Sequence, residues 1–219
     1  MDKQPTILTC NELKAGDILL CFTKMLAGQF SQAKTSGYVH AAICVSETEM
    51  AECMYGGVSK KAINNNSVIK NCDYEHVAVF RKIWSPESLN KLNTFIDNRI
   101  SSGVKFNHDG LNNIDANISQ HAESLHENIE KAFAGTFIPE SPIKDSYFCS
   151  ELIVAAHIEI GFIGEKAATI YNPKTFPPEK LGQELVFGAL VGYLICEEGY
   201  EIPKTDIFIN APSFAEIFG

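Results

Sequence analysis

The sequence predicts an α+β fold, on the basis of two observations about the order of its elements. Runs of strand length rich in Val, Ile and Phe occupy much of the chain before residue 84. Later segments instead repeat apolar residues at helical spacing, and one more strand-like run follows them. Strands grouped in sequence and followed by helices are typical of α+β domains.

Length and charge limit the classes of protein that fit. A chain of 219 residues with 45% hydrophobic content can bury one good core, so we expect a single domain over residues 1–219. The formal net charge is -9, and its 18 Lys and Arg residues form no basic stripe. A nucleic-acid partner is therefore not expected.

The first predicted strand begins after a Lys-Ala-Gly turn signal. The predicted strands have strand length and, as a group, are rich in Val, Ile and Phe. The runs are GDILLCF (16–22), VHAAICVS (39–46), MAECMYGG (50–57) and HVAVFRKI (76–83), with FGALVGYLI (187–195) near the end.

Three helical segments are predicted. The first covers residues 85–103, with Ser85 as N-cap, Pro86 at the first helical position and Gly103 after its end. A polar segment at 112–135 keeps an apolar helical stripe, which predicts a surface helix or a pair of helices within a helical insert at about 107–140. The third runs from Cys149 to about Ile160 and is followed by a Pro-rich loop at 171–181.

The apolar runs of the sequence are all short. No apolar run approaches the roughly 18 residues of a membrane span. The first residues lack the apolar stretch of a signal peptide, which predicts synthesis in the cytosol. The seven cysteines show no disulfide spacing, so we expect most of them to be reduced core thiols.

Cys149 lies where a helix begins, in the stretch DSYFCSELIVAAH. Unpaired backbone N–H groups and the helix dipole favour a thiolate at such a position. The alternative is a buried structural cysteine, which is common at such sites. Only a partner base can decide between the two.

His40 is the candidate base. It lies within the apolar run YVHAAICV, where an imidazole without a hydrogen-bond partner would be costly. Glu52 follows twelve residues later in a second strand, and two adjacent antiparallel strands could bring its carboxylate to the ring. A purely structural pair is the alternative. The histidines at 76, 108, 121 and 126 lie in polar segments and are expected to be solvated.

Several segments in this order resemble a known family. The series AGDILL, YVHAAICV, AECMYGGV, VKFNHDG, YFCSELI and TFPPEKL is similar to the permuted NlpC-like branch of the papain-fold cysteine hydrolases. The resemblance implies a papain-like fold, with a central antiparallel sheet packed against the nucleophile helix. It assigns the nucleophile to Cys149, the base to His40 and the third polar residue to Glu52.

The mechanism expected from this assignment is acyl transfer through a thioester. His40 takes the thiol proton, the sulfur attacks an amide carbonyl, and the Cys149 backbone N–H holds the oxyanion. Tyr38 and Tyr147 are candidates for a hydroxyl that helps to hold it. No cofactor is expected, and no metal, because the Cys and His residues lack the spacing of a zinc site.

The substrate is left open between classes. Similar proteins cleave amides in peptidoglycan stem peptides, and others, similar to lecithin retinol acyltransferase, move acyl groups between lipids. A third possibility is a module that only binds a peptide or acyl group. Peptidoglycan is the preferred substrate class, because no membrane-anchoring helix is predicted.

Delivery is a further hypothesis. A wall hydrolase made in the cytosol needs a specialised route to the periplasm of a target cell. We therefore consider an antibacterial effector that is neutralised at home by an immunity protein. The alternative is a cytosolic amidase acting on recycled wall peptides or on a host protein.

Overall fold

A computed structural model describes residues 4–24, 37–63 and 74–219. The predicted α+β class is confirmed, since an antiparallel sheet is combined with several helices. The strands are β1 (Ile18–Phe22), β2 (Tyr38–Cys44), β3 (Glu49–Met54), β4 (Gly57–Ala62), β5 (His76–Arg81), β6 (Lys105–Phe106), β7 (Ser146–Tyr147) and β8 (Ala189–Ile195). The helices are α1 (Pro86–Ser101), α2 (His108–Asn112), α3 (Ile114–Phe133), α4 (Cys149–Ile160), α5 (Pro178–Gln183) and α6 (Phe214–Phe218).

The main sheet has six strands in the order β4-β3-β2-β1-β5-β8, with antiparallel neighbours. Strands β6 and β7 form a separate parallel pair in which Phe106 lies opposite Tyr147. This small pair connects the start of the insert with the residues just before α4. It therefore links the insert to the beginning of the helix that carries Cys149.

Apolar residues cover both faces of the main sheet. One face packs against α1 and α4 and includes Ala41 and Ala51. The other face is covered partly by the N-terminal segment, through Leu8, Cys10 and Leu13. Helix α4 is buried along nearly its whole length. Fully burying one of its Leu or Ile side chains stabilises the fold by about 1.5–3 kcal/mol, so α4 is held firmly.

The AGDILL segment anchors β1 to its neighbours. Gly16 has φ +90, and a Cβ there would lie 2.2 Å from the Trp84 indole nitrogen. The next residue, Asp17, is fully buried and accepts two hydrogen bonds from Arg81, from Nε at 2.7 Å and from Nη2 at 2.6 Å. This bidentate pair ties the start of β1 to the end of β5.

Most predicted elements are confirmed, and the exceptions are polar or short. The segment 50–57 was predicted as one strand, but β3 ends at Met54 and a turn leads into β4. Strand β4 was not predicted, because its sequence GVSKKA is rich in polar residues. The Pro-rich segment at 171–181 was predicted as a loop, but α5 begins within it at Pro178. Prolines in the first turn of a helix are compatible with helical geometry.

Candidate active site

Cys149 is the first residue of α4. The preceding residue, Phe148, has extended backbone geometry, and its N–H donates to Glu151 Oε2 at 3.2 Å. The Cys149 side chain is buried, and its sulfur lies close to the backbones of Ser150 and Ala41. Backbone N–H groups at a helix start have no partners within the helix, so they are available to stabilise negative charge on the sulfur.

Glu151 fixes the beginning of α4. Its carboxylate is fully buried and accepts from Asn107 Nδ2 at 3.0 Å and from Lys144 Nζ at 2.9 Å. Asn107 belongs to the VKFNHDG segment and also caps α2 by accepting from the Gly110 N–H at 2.8 Å. The Glu151 carboxylate therefore links the start of α4 to Asn107, where the insert begins, and to Lys144 in the chain before α4.

His40 and Glu52 lie on one face of the sheet. Ala42 is opposite Glu52 in the register of β2 and β3, and His40 is two residues from Ala42 on the same strand. Because side chains alternate between faces along a strand, this register places both residues on one face. His40 Nε2 and Glu52 Oε2 are 2.8 Å apart, and both side chains are buried. The strand pairing proposed from the sequence is therefore present.

The strands separate beside this pair. The pairing of β2 with β3 ends at Ala42 and Glu52, although β3 continues to Met54. The continuing part of β3 contacts the chain before α4, since the Cys53 thiol donates to the Tyr147 carbonyl at 3.0 Å. The separation allows the Cys149 sulfur to reach the backbone of Ala41 and the ring of His40.

The pKa values of the three groups shift in a consistent way. Burial opposes the charged form of each group, but the hydrogen bonds and charges between them outweigh it. The pKa of Cys149 is lowered by the His40 bond and charge, and the pKa of His40 is raised to about 9 by Cys149 and Glu52. The pKa of Glu52 is lowered to about 2 by His40 and Lys61. The interactions among the three groups therefore favour the thiolate of Cys149, the imidazolium of His40 and the carboxylate of Glu52.

The comparison with known families agrees with this arrangement. The family model described as permuted papain-like amidase enzyme, YaeF/YiiX, C92 family, matches residues 12–213. The chain belongs to this family. The predicted resemblance to permuted papain-fold cysteine hydrolases is thereby confirmed, although the match does not single out the NlpC-like branch. No significant match was found among curated proteins or among solved structures.

The two candidate tyrosines of this amidase already use their hydroxyl protons. Tyr38 donates to Asp206 Oδ2 at 2.8 Å, and Tyr147 donates to the Pro142 carbonyl at 2.6 Å. A tyrosine hydroxyl has only one proton to donate. These contacts therefore give no support to either hydroxyl as an oxyanion donor, and that role stays a prediction.

A second buried polar cluster lies at the start of β2, and the sequence did not indicate it. His76 was expected to be solvated, but this was wrong because it is fully buried. Its ring stacks on Phe22 at 4.4 Å and on Tyr200 at 5.5 Å between centroids. Its Nε2 lies 3.0 Å from the Tyr38 hydroxyl and 3.3 Å from Asp206 Oδ2. The cluster holds Tyr38, two residues before His40.

An aromatic group is found where the insert begins. Tyr55 stacks on His108 with ring centroids 5.2 Å apart, and Phe106 contacts both rings at 5.3 and 4.8 Å. Tyr55 is 67% exposed and follows Glu52 by three residues. Phe106 lies opposite Tyr147, and Tyr147 precedes Cys149 by two residues in the sequence. The insert therefore contributes to the surface next to the catalytic candidates.

Within residues 4–24, 37–63 and 74–219, no group of three or more His, Cys, Asp or Glu side chains is arranged to hold a metal ion. Across those ranges, no helix combines the length and apolar character needed to cross a membrane.

Substitutions at His40 and Glu52 are expected to differ in severity. His40→Ala removes the base and should lower kcat by about 10⁴-fold, as for members of other catalytic triads. Glu52→Gln should cost less, because an amide oxygen still accepts the imidazole N–H although it stabilises the imidazolium poorly. Steady-state kinetics on one amide substrate would measure both effects. Equal activity of both variants and the wild type would remove the two residues from the mechanism.

Proposed function

We propose that the protein hydrolyses an amide through a thioester on Cys149. The observation that carries the proposal is the arrangement of the three side chains: His40 Nε2 lies 2.8 Å from Glu52 Oε2, and the His40 ring interacts with the Cys149 sulfur at the start of α4. Membership of a permuted papain-like amidase family supports the same reaction class.

The proposed reaction has two steps. The Cys149 thiolate attacks the amide carbonyl, and the oxyanion accepts a hydrogen bond from the Cys149 backbone N–H. The His40 imidazolium then gives its proton to the leaving amine as the C–N bond breaks, which leaves a thioester. In the second step His40 takes a proton from water and the hydroxide adds to the thioester. The C–S bond then breaks, which releases the acid and restores the Cys149 thiolate beside the His40 imidazolium.

Glu52 has a supporting role in both steps. Its carboxylate accepts from His40 Nε2, which leaves the other ring nitrogen, Nδ1, to exchange the proton with the sulfur. This interaction fixes the orientation of the ring and stabilises the imidazolium form. His40 can therefore act as an acid in the first step and as a base in the second.

The electrostatics of the site favour an enzyme over a module that only binds a peptide or acyl group. A structural role does not require the lowered pKa at Cys149. Iodoacetamide labelling near neutral pH tests the distinction. Fast and selective labelling of Cys149 that slows in His40→Ala supports the enzyme, whereas equal labelling of several cysteines supports a binding module.

For the substrate, we propose an amide within a peptidoglycan stem peptide. This choice rests on the sequence resemblance. Purified sacculi incubated with the protein should release muropeptides whose masses identify the cleaved bond. Lipid vesicles incubated in parallel test the acyltransferase alternative, because acyl transfer to a lipid acceptor would yield a new lipid species. The Cys149→Ala variant is the control for both experiments.

Delivery into a neighbouring cell is likewise proposed from the sequence reasoning. The test is expression in bacteria with and without an added export signal. Lysis or rounding that occurs only when the protein enters the periplasm, and not with Cys149→Ala, supports a delivered effector with an immunity partner. The same effect at both locations, or none at either, supports an enzyme that acts inside the cell.

A further inference from the structure

Lys61 lies on β4, at the edge of the main sheet. In the register of β3 and β4, Lys61 is opposite Met50 and Ser59 is opposite Glu52. Since Met50 and Glu52 are two residues apart on one strand, Lys61 and Glu52 project from the same face. The Lys61 ammonium forms an ion pair with Glu52 Oε1.

The two oxygens of Glu52 therefore have different partners. Oε2 is bonded to His40 Nε2 at 2.8 Å, and Oε1 is paired with Lys61 Nζ. The Glu52 side chain is 5% exposed, whereas the Lys61 side chain is 55% exposed. A buried carboxylate is costly unless each oxygen finds a partner, and Lys61 supplies one of the two partners from the edge of the sheet.

We propose that Lys61 is a positioning residue of this site. Its ion pair holds the Glu52 carboxylate in place and keeps it ionised, so that Glu52 can orient His40. The proposal rests on the function proposed above and adds a fourth residue, which is joined to Glu52 by an ion pair. Lys61 does not contact the reacting sulfur in this arrangement; it acts through Glu52.

The charge of Lys61 should influence the whole series. Glu52 interacts with His40 from β2 and Lys61 from β4, and His40 in turn interacts with Cys149 from α4. The charges of Glu52, Cys149 and Glu151 also act on Cys53, which follows Glu52 on β3 and projects from the other face of the sheet. Removing a nearby cation disfavours every anion and favours every cation, so the pKa values of Glu52, Cys149 and His40 should all rise when Lys61 is neutralised.

The chain provides a matched control at the neighbouring position. Lys60 is next to Lys61 on β4 but projects from the opposite face, where it pairs with Asp97 at 2.6 Å. Lys60→Met and Lys61→Met remove the same charge from adjacent residues. Lys61→Arg keeps the charge, and Lys61→Gln is a second neutral variant that retains a polar side chain.

The experiment measures the rate at which iodoacetamide alkylates Cys149 between pH 4 and 9, with peptide mass spectrometry to identify the site. In Lys61→Met and Lys61→Gln, the acid limb of the profile should move up by about one pH unit, so that labelling on that limb is about tenfold slower. Lys61→Arg should restore the wild-type profile, and Lys60→Met should leave it unchanged. Thermal unfolding of each variant tests whether it is folded.

Three outcomes would overturn the proposal. They are a wild-type profile in both neutral Lys61 variants, the same shift in Lys60→Met, and a shift in folded Lys61→Arg as large as that in Lys61→Met. Failure of the amidase proposal would look different, as an absence of amide cleavage by the wild type. The alkylation profile does not depend on an amide substrate, so it tests Lys61 in either case.

Discussion

Replacing Cys149 by alanine should abolish amide hydrolysis while leaving the protein folded. The rate of hydrolysis should fall by about 10⁴-fold or more, because the loss of a nucleophile removes the covalent pathway altogether. The free energy of unfolding should change by only about 1 kcal/mol, because His40 keeps Glu52 as its hydrogen-bond partner when the sulfur is removed. Amide turnover and the melting temperature, measured on the same preparation, test both statements.

Cys44 offers a control thiol for this experiment. It is fully buried at the far end of the strand that carries His40, and burial raises the pKa of its thiol well above the ordinary value. Cys44→Ala should therefore keep full turnover and full iodoacetamide labelling at Cys149. If Cys149→Ala lost activity only in parallel with a large fall in melting temperature, Cys149 would instead be a structural residue.

The sequence was most informative where local signals coincided. The first residue of α4 and its end at Ile160 were predicted from one apolar run and its flanking residues, and both are confirmed. His40 and Glu52 were predicted to meet because two short strands lay close together in sequence. A hairpin of that kind constrains its own register, so local information was sufficient.

Lys61 could not be predicted in the same way. Its strand is polar, and Lys residues on an edge strand are commonly explained by protection against edge-to-edge pairing. Only the register of β4 against β3 shows that Lys61 and Glu52 share a face. A strand with few apolar residues gives no pattern from which such a register could be derived.

Contacts between distant segments were missed for a different reason. The Tyr38 hydroxyl bonds to Asp206, which is 168 positions away along the chain. The sequence identified Tyr38 as a candidate but gave no direction for its hydroxyl. The sequence likewise placed His76 in a polar segment, which predicted a solvated side chain. Such contacts depend on how the C-terminal segment packs on the sheet, which no local pattern encodes.

Asp206→Ala should be the most destabilising of the substitutions considered for this protein. The Asp206 side chain is 1% exposed. It accepts from the Tyr38 hydroxyl at 2.8 Å, the Tyr193 hydroxyl at 2.9 Å and the Phe208 N–H at 2.9 Å. Removing one partner of a buried charged cluster costs about 3–5 kcal/mol, because the remaining polar groups lose their acceptor. The melting temperature should fall by on the order of 10 °C.

Asp97→Ala is the control for a lost carboxylate. Asp97 is also paired, with Lys60 at 2.6 Å, but its side chain is 59% exposed. Exposed ion pairs contribute at most about 1 kcal/mol, so this variant should unfold near the wild-type temperature. Similar losses in the two variants would contradict the importance assigned to the buried cluster.

The pH dependence of stability gives a second test of Asp206. Burial raises its pKa, but bonds from His76, the Phe208 N–H and Tyr38 outweigh burial and lower it overall. A carboxyl whose folded pKa lies below its unfolded value, about 3.9, stabilises the fold above that value and loses its contribution as the pH falls through the folded pKa. The difference in unfolding free energy between wild type and Asp206→Ala should therefore be largest above about pH 4 and shrink in acid. A difference that stays constant down to pH 2 would show that lost packing, and not lost charge, causes the destabilisation.

Because Tyr38 begins the strand that carries His40, Asp206→Ala should also lower amide turnover at temperatures where the variant is still folded.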